Sequence, residues 1–286
     1  MINTSRFFVV LTVLWQLGST PALASQSLYG DLAKETMISF GPSAPEKPLP
    51  LNTLRLFIWN IHKGTDPRLV QDFEELSNGA HLVLFQEAVS APAFTLKLLN
   101  ANPSLEWTMA KAFRQWDDSY TGVATGSTVK PLGQDVIISE AKEPVIKTPK
   151  TILLSYFSLE NSKEELLVAN IHGINFVSLK DYKTQIHQLL EKIQGHQGPL
   201  IVAGDFNTWD PARWIFLQKA LKPLGLQVVT TPESFMNLDH IFVRNLRAKL
   251  VFDLSDIDSS DHAPLLVDLT YDRNATSNSG VHREIH

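Results

Sequence analysis

The feature that most constrains this 286-residue chain is a series of short apolar runs separated by polar and turn-forming residues. Runs of four to eight residues rich in Val, Ile, Leu and Phe are typical of strands buried inside a sheet. Seven such runs are evident, at 54–59, 82–85, 152–157, 166–171, 200–203, 240–243 and 265–269. The pattern predicts a domain built on many short strands.

Two helices are predicted between these strands. Asp66-Pro67 supplies a cap residue and then Pro at the first helical position, and apolar residues follow on one face. A second helix is predicted over 179–193, where apolar residues recur at helical spacing. No internal repeat and no glycine-rich nucleotide-binding loop is present, so a single α/β domain over 53–271 fits best.

The N-terminal segment is predicted to lie outside this domain. Arg6 precedes an apolar run at 7–15, and small residues follow at 21–25. This arrangement predicts a signal peptide over 1–24, and therefore export to the periplasm or the medium without a stable membrane anchor. An uncleaved anchor or a buried core helix is the alternative.

Two further segments flank the domain. Residues 25–52 end in Pro45, Pro48 and Pro50, which predicts an extended lead-in. Residues 272–286 are polar and predict a disordered tail. Within that tail, 274–276 fit a glycosylation acceptor, which matters only in a eukaryotic secretory route.

Composition narrows the chemistry. The chain contains no Cys, which excludes thiolate zinc sites, iron–sulfur clusters, disulfides and Cys nucleophiles. No HExxH motif is present either, which argues against a zinc protease. A formal net charge of −5 gives no general attraction for polyanions. Any phosphate chemistry must therefore depend on a local site.

Polar groups follow or precede the predicted strands repeatedly, and adjacent strand ends lie about 4.8 Å apart. The clusters are Asn60, Gln86-Glu87, His172, Gly204-Asp205-Phe206-Asn207, Asp239 and Ser260-Asp261-His262. Oxygen ligands such as Glu87, Asp261 and Asn60 suit Mg²⁺, which keeps several waters. Imidazoles such as His262 and His172 serve as bases or clamps. Together these groups predict metal-assisted hydrolysis of a phosphate ester.

Each cluster also has a structural interpretation when it is taken alone. Glu87 would fit a solvated carboxylate or a helix cap, and His172 a hydrogen-bonded core histidine. Asp and Asn, as at Asp205 and Asn207, are common turn residues, and Asp239 fits equally well in a turn that leads into a strand.

The order of these clusters resembles the endonuclease/exonuclease/phosphatase superfamily. The resemblance extends from about residue 54 to residue 269. The residues on which it rests are Trp59-Asn60, Gln86-Glu87, Asn170-Ile171-His172, Gly204-Asp205-Phe206-Asn207, Leu238-Asp239 and Ser260-Asp261-His262. The strings 59–63 and 170–176 look most like a bacterial branch of that superfamily. The resemblance implies a four-layer α/β/β/α sandwich of two packed mixed sheets, with the site at one edge.

The resemblance also implies roles for individual residues. Glu87 would be the main ligand of Mg²⁺ or Mn²⁺, with Asn60 beside it and Asp261 completing the metal network. The other roles that the resemblance implies concern catalysis. Asp205 would orient or deprotonate the attacking water, and Asn207 would fix the phosphate. His262, held by Asp239, would act as base or phosphate clamp, and His172 would protonate the leaving oxygen.

The substrate is less constrained. Predicted export together with His172 favours nucleic acid cleaved by a monomeric phosphodiesterase. A phospholipid hydrolase resembling sphingomyelinase, a phosphomonoester hydrolase, or a catalytically silent binding protein are the alternatives. Lys63, Arg114 and Tyr120 are candidates for phosphate contacts. No long Lys/Arg patch and no hydrophobic hairpin with exposed aromatics is evident in the sequence.

Overall fold

Two mixed β-sheets pack face to face in the computed structural model, which describes residues 36–229 and 238–272 and the backbone of 282–285. The eight-stranded sheet has the spatial order β1 (Met37–Phe40), β4 (Glu106–Arg114), β5 (Tyr120–Ser127), β3 (Leu82–Val89), β2 (Leu54–Asn60), β13 (Leu265–Tyr271), β12 (Leu246–Asp253) and β14 (His282–Ile285). The six-stranded sheet has the order β10 (Gln227–Val228), β11 (Asp239–Arg244), β9 (Leu200–Asp205), β8 (Glu165–His172), β7 (Thr151–Ser158) and β6 (Gly133–Ile138).

Four α-helices cover the outer faces of the two sheets. Helices α1 (Leu69–Leu76) and α2 (Pro92–Ala101) contribute to an apolar cluster with the eight-stranded sheet. Helices α3 (Leu179–Ile193) and α4 (Pro211–Leu221) form the equivalent cluster on the six-stranded sheet. The predicted four-layer α/β/β/α sandwich is therefore confirmed.

The central core lies between the two sheets. Leu56 and Ile58 of β2 pack in the same fully buried cluster as Val168 of β8 and Ile201 of β9. The alternate residues of these strands face the helices instead, so both faces of each strand are buried. Burial on both faces explains why the strands read as continuous apolar runs rather than as alternating ones.

All seven predicted runs lie within strands, and the predicted helix over 179–193 has the same bounds as α3. Ser178 caps α3, because its side-chain oxygen accepts the backbone N–H of Asp181. The first predicted helix is displaced: α1 begins at Leu69, and Arg68 precedes it. Pro67 therefore lies before the helix rather than at its first position.

The predicted boundaries need two corrections. Within the lead-in, Met37–Phe40 form β1 and pair with β4, and Leu49 is fully buried. Within the predicted disordered tail, His282–Ile285 form β14, parallel to β12. An unpaired strand edge binds any segment through backbone groups, so polar side chains do not prevent this pairing. The signal peptide at 1–24 and the tripeptide at 274–276 lie outside the described residues.

Strand directions determine where functional groups meet. Parallel pairing of β2 with β3 places Asn60 opposite Gln86. Parallel pairing of β8 with β9 places His172 opposite Asp205, and antiparallel β11 brings Asp239 to Asp205 from the other side. All five residues therefore lie at one edge of the sandwich, called here the pocket end; the opposite edge is the far end. No helix in the described part of the chain is both long and apolar enough to cross a bilayer.

Candidate active site

The pocket end contains an open cavity of about 360 Å³. Its lining includes seven of the eight predicted site residues: Asn60, Glu87, His172, Asp205, Asn207, Asp261 and His262. The eighth, Asp239, lies directly behind His262. The structure therefore brings together every residue that the sequence analysis assigned to the site, from both sheets.

A buried amide pair forms the floor beneath the site and joins the two sheets. Gln86 of β3 donates through Nε2 to Asn170 Oδ1 of β8 at 2.7 Å, and Asn170 Nδ2 donates to the carbonyl of Ala124 at 2.9 Å. Gly204 passes over this pair with a φ of +135°. A Cβ at Gly204 would lie 2.2 Å from the carbonyl oxygen of Ile171, so only glycine fits at this point of the Gly204–Asn207 string.

A β-bulge directs Glu87 into the pocket. Between Phe85 and Ala88, strand β3 has one residue more than its partner β5. Glu87 occupies the bulge with a φ of +52°, a conformation that non-glycine residues adopt at a free-energy cost of roughly 1–3 kcal/mol. Its carboxylate oxygen Oε1 lies 4.0 Å from His172 Nε2. The backbone is thus strained where it presents a carboxylate to the cavity.

Asp205 is the hub of the site. Its Oδ2 accepts Asn60 Nδ2 at 3.0 Å and lies 3.5 Å from His172 Nε2 and 4.0 Å from His262 Nε2. Its Oδ1 accepts the backbone N–H of Asn207 at 2.8 Å. Burial and the neighbouring charge of Asp239 raise the pKa of Asp205 to about 7, although His262 opposes that change. The carboxyl is thus available to exchange a proton near neutral pH.

The two histidines differ in charge because their surroundings differ. Burial, reinforced by the charges of Lys150 and His262, lowers the pKa of His172 well below 6.5, so this imidazole is neutral at pH 7. Burial also acts to lower the pKa of His262, but the hydrogen bond and charge of Asp239 outweigh it and raise the pKa to about 9. The site therefore holds one neutral imidazole and one imidazolium.

His262 is fixed at both ends. Its Nδ1 lies 2.6 Å from Asp239 Oδ2, so Nε2 faces the pocket. Its carbonyl oxygen accepts the indole N–H of the buried Trp59 at 2.7 Å. Trp59 thus packs in the core and also anchors the loop that carries His262.

Asn207 lines the cavity, but its side-chain amide nitrogen is turned toward Asp205 and Gly173. Its Nδ2 donates to the carbonyl of Gly173 at 2.9 Å and to Asp205 Oδ2 at 3.3 Å, so both amide hydrogens are engaged. Arg213 of α4 fixes the same loop from below, because it donates to the carbonyls of Asn207, Ile174 and others. The phosphate contact predicted for Asn207 would require one of these hydrogen bonds to exchange.

The predicted metal ligands fit a hard cation. Glu87, Asp205, Asp239 and Asp261 give the site four carboxylates, and none of them forms an ion pair with Lys or Arg among the described residues. Asp261 is exposed at the mouth, 3.6 Å from the nearest nitrogen of His62. The described residues contain no group of three or more His, Asp and Glu arranged to enclose a metal. A donor set of two carboxylates and the Asn60 amide instead suits Mg²⁺, which retains waters.

Sequence analysis missed one charged pair in the pocket wall. Lys150, immediately before β7, lies 3.4 Å from Glu143, and both side chains are nearly buried. Lys63 also lines the pocket, as its candidacy for a phosphate contact requires, whereas Arg114 pairs with Asp118 outside it. Tyr120 likewise lies outside the lining, beneath the Lys111 ammonium. A Lys at a strand start is usually solvated, so the sequence held no signal for Lys150.

Comparisons with known proteins agree with this geometry. The model of the endonuclease/exonuclease/phosphatase family matches residues 58–262. A UPF0294 protein of Vibrio cholerae is 35% identical over 224 residues, 75% of this chain and 76% of the relative. A UPF0294 protein of Vibrio campbellii is 32% identical over 274 residues, 92% of this chain and 93% of the relative.

Solved structures share the fold at low sequence identity. An endonuclease/exonuclease/phosphatase from Beutenbergia cavernae has a TM-score of 0.61 at 18% identity, covering 77% of this chain and 72% of the other. The human Nocturnin catalytic domain has a TM-score of 0.57 at 17% identity, covering 82% and 97%. With the family model spanning most of the domain, the chain belongs to the endonuclease/exonuclease/phosphatase family, whose members are typically metal-dependent phosphoester hydrolases.

Proposed function

We propose that this chain is a divalent-metal-dependent phosphodiesterase that cleaves its substrate by in-line attack of water. The observation that carries the proposal is the arrangement around Asp205: a buried carboxylate faces two imidazoles, beside carboxylates that have no Lys or Arg partner among the described residues. A base, a cationic clamp and a cation site converging on one cavity are what hydrolysis of a phosphodiester requires.

The roles follow from the geometry. Asp205 is held by Asn60 and Asn207, so a water above its carboxylate would be oriented and could transfer its proton to Asp205. His262, held by Asp239, presents Nε2 to the non-bridging phosphate oxygens. His172 is neutral and therefore a poor acid, so instead of protonating the leaving oxygen, as the resemblance implied, it would donate a hydrogen bond from its ring N–H to that oxygen, which would take its proton from solvent. One displacement at phosphorus then suffices, without a covalent enzyme intermediate.

The metal site belongs to the same proposal. Glu87, Asn60 and Asp261 would hold Mg²⁺ or Mn²⁺, which when bound supplies Lewis-acid stabilisation of charge on the phosphoryl oxygens. The residues of the chain then account for positioning and proton transfer. Lys63 and Lys150 in the pocket wall add positive charge near the same oxygens.

Nucleic acid and phospholipid are the two candidate substrates. The preference for nucleic acid depends on His172 and on export, and the predicted signal peptide lies outside the described residues. A specific observation favours phospholipid as the second candidate, namely exposed apolar side chains at the pocket mouth. Export to the periplasm or the medium remains part of the proposal.

The test is a panel of phosphodiesters assayed with Mg²⁺ and Mn²⁺: DNA, RNA, sphingomyelin and bis(p-nitrophenyl) phosphate. We expect hydrolysis that EDTA abolishes. Glu87→Gln should require roughly 10–100-fold more metal for half-maximal rate, because it removes the principal carboxylate. Glu165→Gln is the matched control, since Glu165 is exposed at the far end of β8. Undiminished hydrolysis in EDTA, or wild-type metal dependence of Glu87→Gln, would contradict the proposal.

A further inference from the structure

Exposed apolar side chains are concentrated at the pocket end. Among the described residues, eight large apolar side chains are exposed, and five of these lie on loops that follow or precede strands at the pocket end: Trp116, Val145, Ile146, Phe176 and Trp209. The other three lie on α2, on α4 and at the far end: Leu96, Ile215 and Leu132. Such clustering distinguishes a contact surface from the scattered exposure that any protein shows.

The loop between β6 and β7 holds part of this surface in a defined shape. Backbone hydrogen bonds join Ser139 with Lys150 and Glu143 with Thr148 across the loop. Val145 at its tip is 92% exposed and Ile146 is 43% exposed. A loop closed in this way cannot fold its tip inward, so the two aliphatic side chains stay in solvent until another surface covers them.

Phe176 completes the surface from the loop after β8. Its ring is 73% exposed, and its φ of +53° is a strained conformation for a residue with a Cβ. Its backbone N–H donates to Asn175 Oδ1, which also accepts the indole N–H of Trp209. Phe176 and Ile146 both line the cavity. Val145, Ile146 and Phe176 are called here the apolar rim.

Charge is distributed unevenly around the rim. Lys142 and Lys147 flank the tip of the β6–β7 loop, and both are exposed without an ion pair among the described residues. Glu140 is an exposed carboxylate at the base of the same loop, next to β6, and other exposed carboxylates of the pocket end lie on other loops: Asp117 and Asp118 at 115–119, and Asp256, Asp258 and Asp261 at 254–264. The tip of the β6–β7 loop therefore combines aliphatic side chains with two lysines, while these exposed acidic groups lie at the base of the loop or on other loops.

We propose that the apolar rim docks on the surface of a phospholipid bilayer, with Val145, Ile146 and Phe176 in the interfacial region and Lys142 and Lys147 against anionic headgroups. Apolar side chains bordered by lysines are the composition that binds such surfaces. Docking would place the mouth of the cavity at headgroup level. The inference rests on the proposed phosphodiesterase function and assigns its substrate to the membrane surface.

A polynucleotide fits the same surface less well. Phe176 is the one rim side chain with a π-face on which a base could stack, since Val145 and Ile146 are aliphatic and the exposed rings of Trp116 and Trp209 lie outside the rim; stacking carries much of single-strand recognition. A polyanion laid across the pocket end would also meet the carboxylates at 115–119 and 254–264. A bilayer that meets Val145, Ile146 and Phe176 needs neither base stacking nor a path across those carboxylates.

Vesicle co-sedimentation of the full chain tests the proposal, with vesicles of phosphatidylcholine alone and of phosphatidylcholine mixed with phosphatidylglycerol. Val145→Ser should lower the partition coefficient about 10-fold, because it removes methyl groups from the interface. Lys142→Ala should lower it about fivefold on mixed vesicles and leave it unchanged on phosphatidylcholine. Leu132→Ser is the matched control, since Leu132 is 58% exposed at the far end. All variants carry the same N-terminus, so differences report the rim.

The outcomes separate this inference from the proposed function. Vesicle binding that is absent, or equal in Val145→Ser and wild type, overturns docking. Loss of DNA or RNA binding in Val145→Ser, with vesicle binding unchanged, overturns it in favour of nucleic acid. Hydrolysis of soluble bis(p-nitrophenyl) phosphate by the wild type is measured alongside. Rim-dependent vesicle binding without hydrolysis of any phosphodiester would uphold docking and contradict the proposed function.

Discussion

The two ends of the sandwich contain similar charged residues in opposite circumstances. At the far end, Arg55 donates to both carboxylate oxygens of Asp268, at 2.8 and 2.9 Å. Arg244 there donates to the backbone carbonyls of His196, Gly198 and Leu224. At the pocket end, by contrast, the site carboxylates Glu87, Asp205, Asp239 and Asp261 face amides, imidazoles and one another, without a Lys or Arg partner among the described residues.

This contrast shows which end is complete without a ligand. Arg55 and Arg244 at the far end meet their complements within the chain, so they contribute to the stability of that end. At the pocket end four carboxylates have no Lys or Arg partner among the described residues, and Lys63, Glu87, Phe176 and Asn207 adopt positive φ angles. Such strain and unbalanced charge persist only where the surrounding structure enforces them, and they concentrate at functional sites.

The largest expected effect on activity is that of Asp205→Asn, and this variant is the strongest test of the contrast between the two ends. The substitution keeps the shape of the side chain but removes the proposed base, so kcat on bis(p-nitrophenyl) phosphate should fall roughly thousandfold. Stability in urea should change little, because relief of a buried charge is offset by loss of hydrogen bonds that the carboxylate accepts from Asn60 and Asn207. Steady-state kinetics and urea denaturation measure the two effects on the same preparation.

A variant with activity within tenfold of wild type would show that Asp205 is not the base. A large fall in the urea midpoint would show instead that the pocket end, like the far end, is built for stability.

The converse change at the far end is Asp268→Asn. It leaves the guanidinium of Arg55 with a neutral partner in a partly buried position, so the free energy of unfolding should fall by about 1–3 kcal/mol. Hydrolysis should stay within twofold of wild type, since Asp268 lies at the opposite edge of the sandwich from the cavity. Loss of activity in the folded variant would mean that the two ends are coupled.

The sequence predicted strands correctly where both faces of a strand are buried. The strands that end at Asn60, His172 and Asp205 are buried on both faces and read as unbroken apolar runs. It failed at α4, because Arg213 is buried there while Ile215 is exposed, so no apolar stripe marks the helix. It failed also at β4, where the polar Lys111 is buried within the strand.

The composition of the site was predictable, but its precise placement was not. The order of polar clusters named eight residues that the structure brings together at the pocket end, because strand ends converge at one edge. The bulge that directs Glu87 inward depends on the register with β5, which no local pattern encodes. The apolar rim was missed for a similar reason: Val145 and Ile146 look like core residues until the loop that exposes them is known.

The smallest expected effect is on the pH dependence of the free energy of unfolding, and it comes from a histidine at the far end. His81 accepts the backbone N–H of Arg55 through Nδ1 at 3.0 Å. Burial and then the charge of Arg55 lower the pKa of His81 below 6.5. The unfolded chain thus binds this proton more readily than the folded chain. The contribution of His81 to stability is therefore fully present above about pH 6.5 and is lost as the pH falls toward the pKa of the folded state.

His81→Asn keeps a hydrogen-bond acceptor without a titrating group. The variant should lose less stability than the wild type between about pH 7.5 and 5.5, by under ~1 kcal/mol. Urea denaturation at both pH values measures the difference, to which His172 contributes equally in both proteins; identical pH dependence would show that the far end tolerates a charged His81.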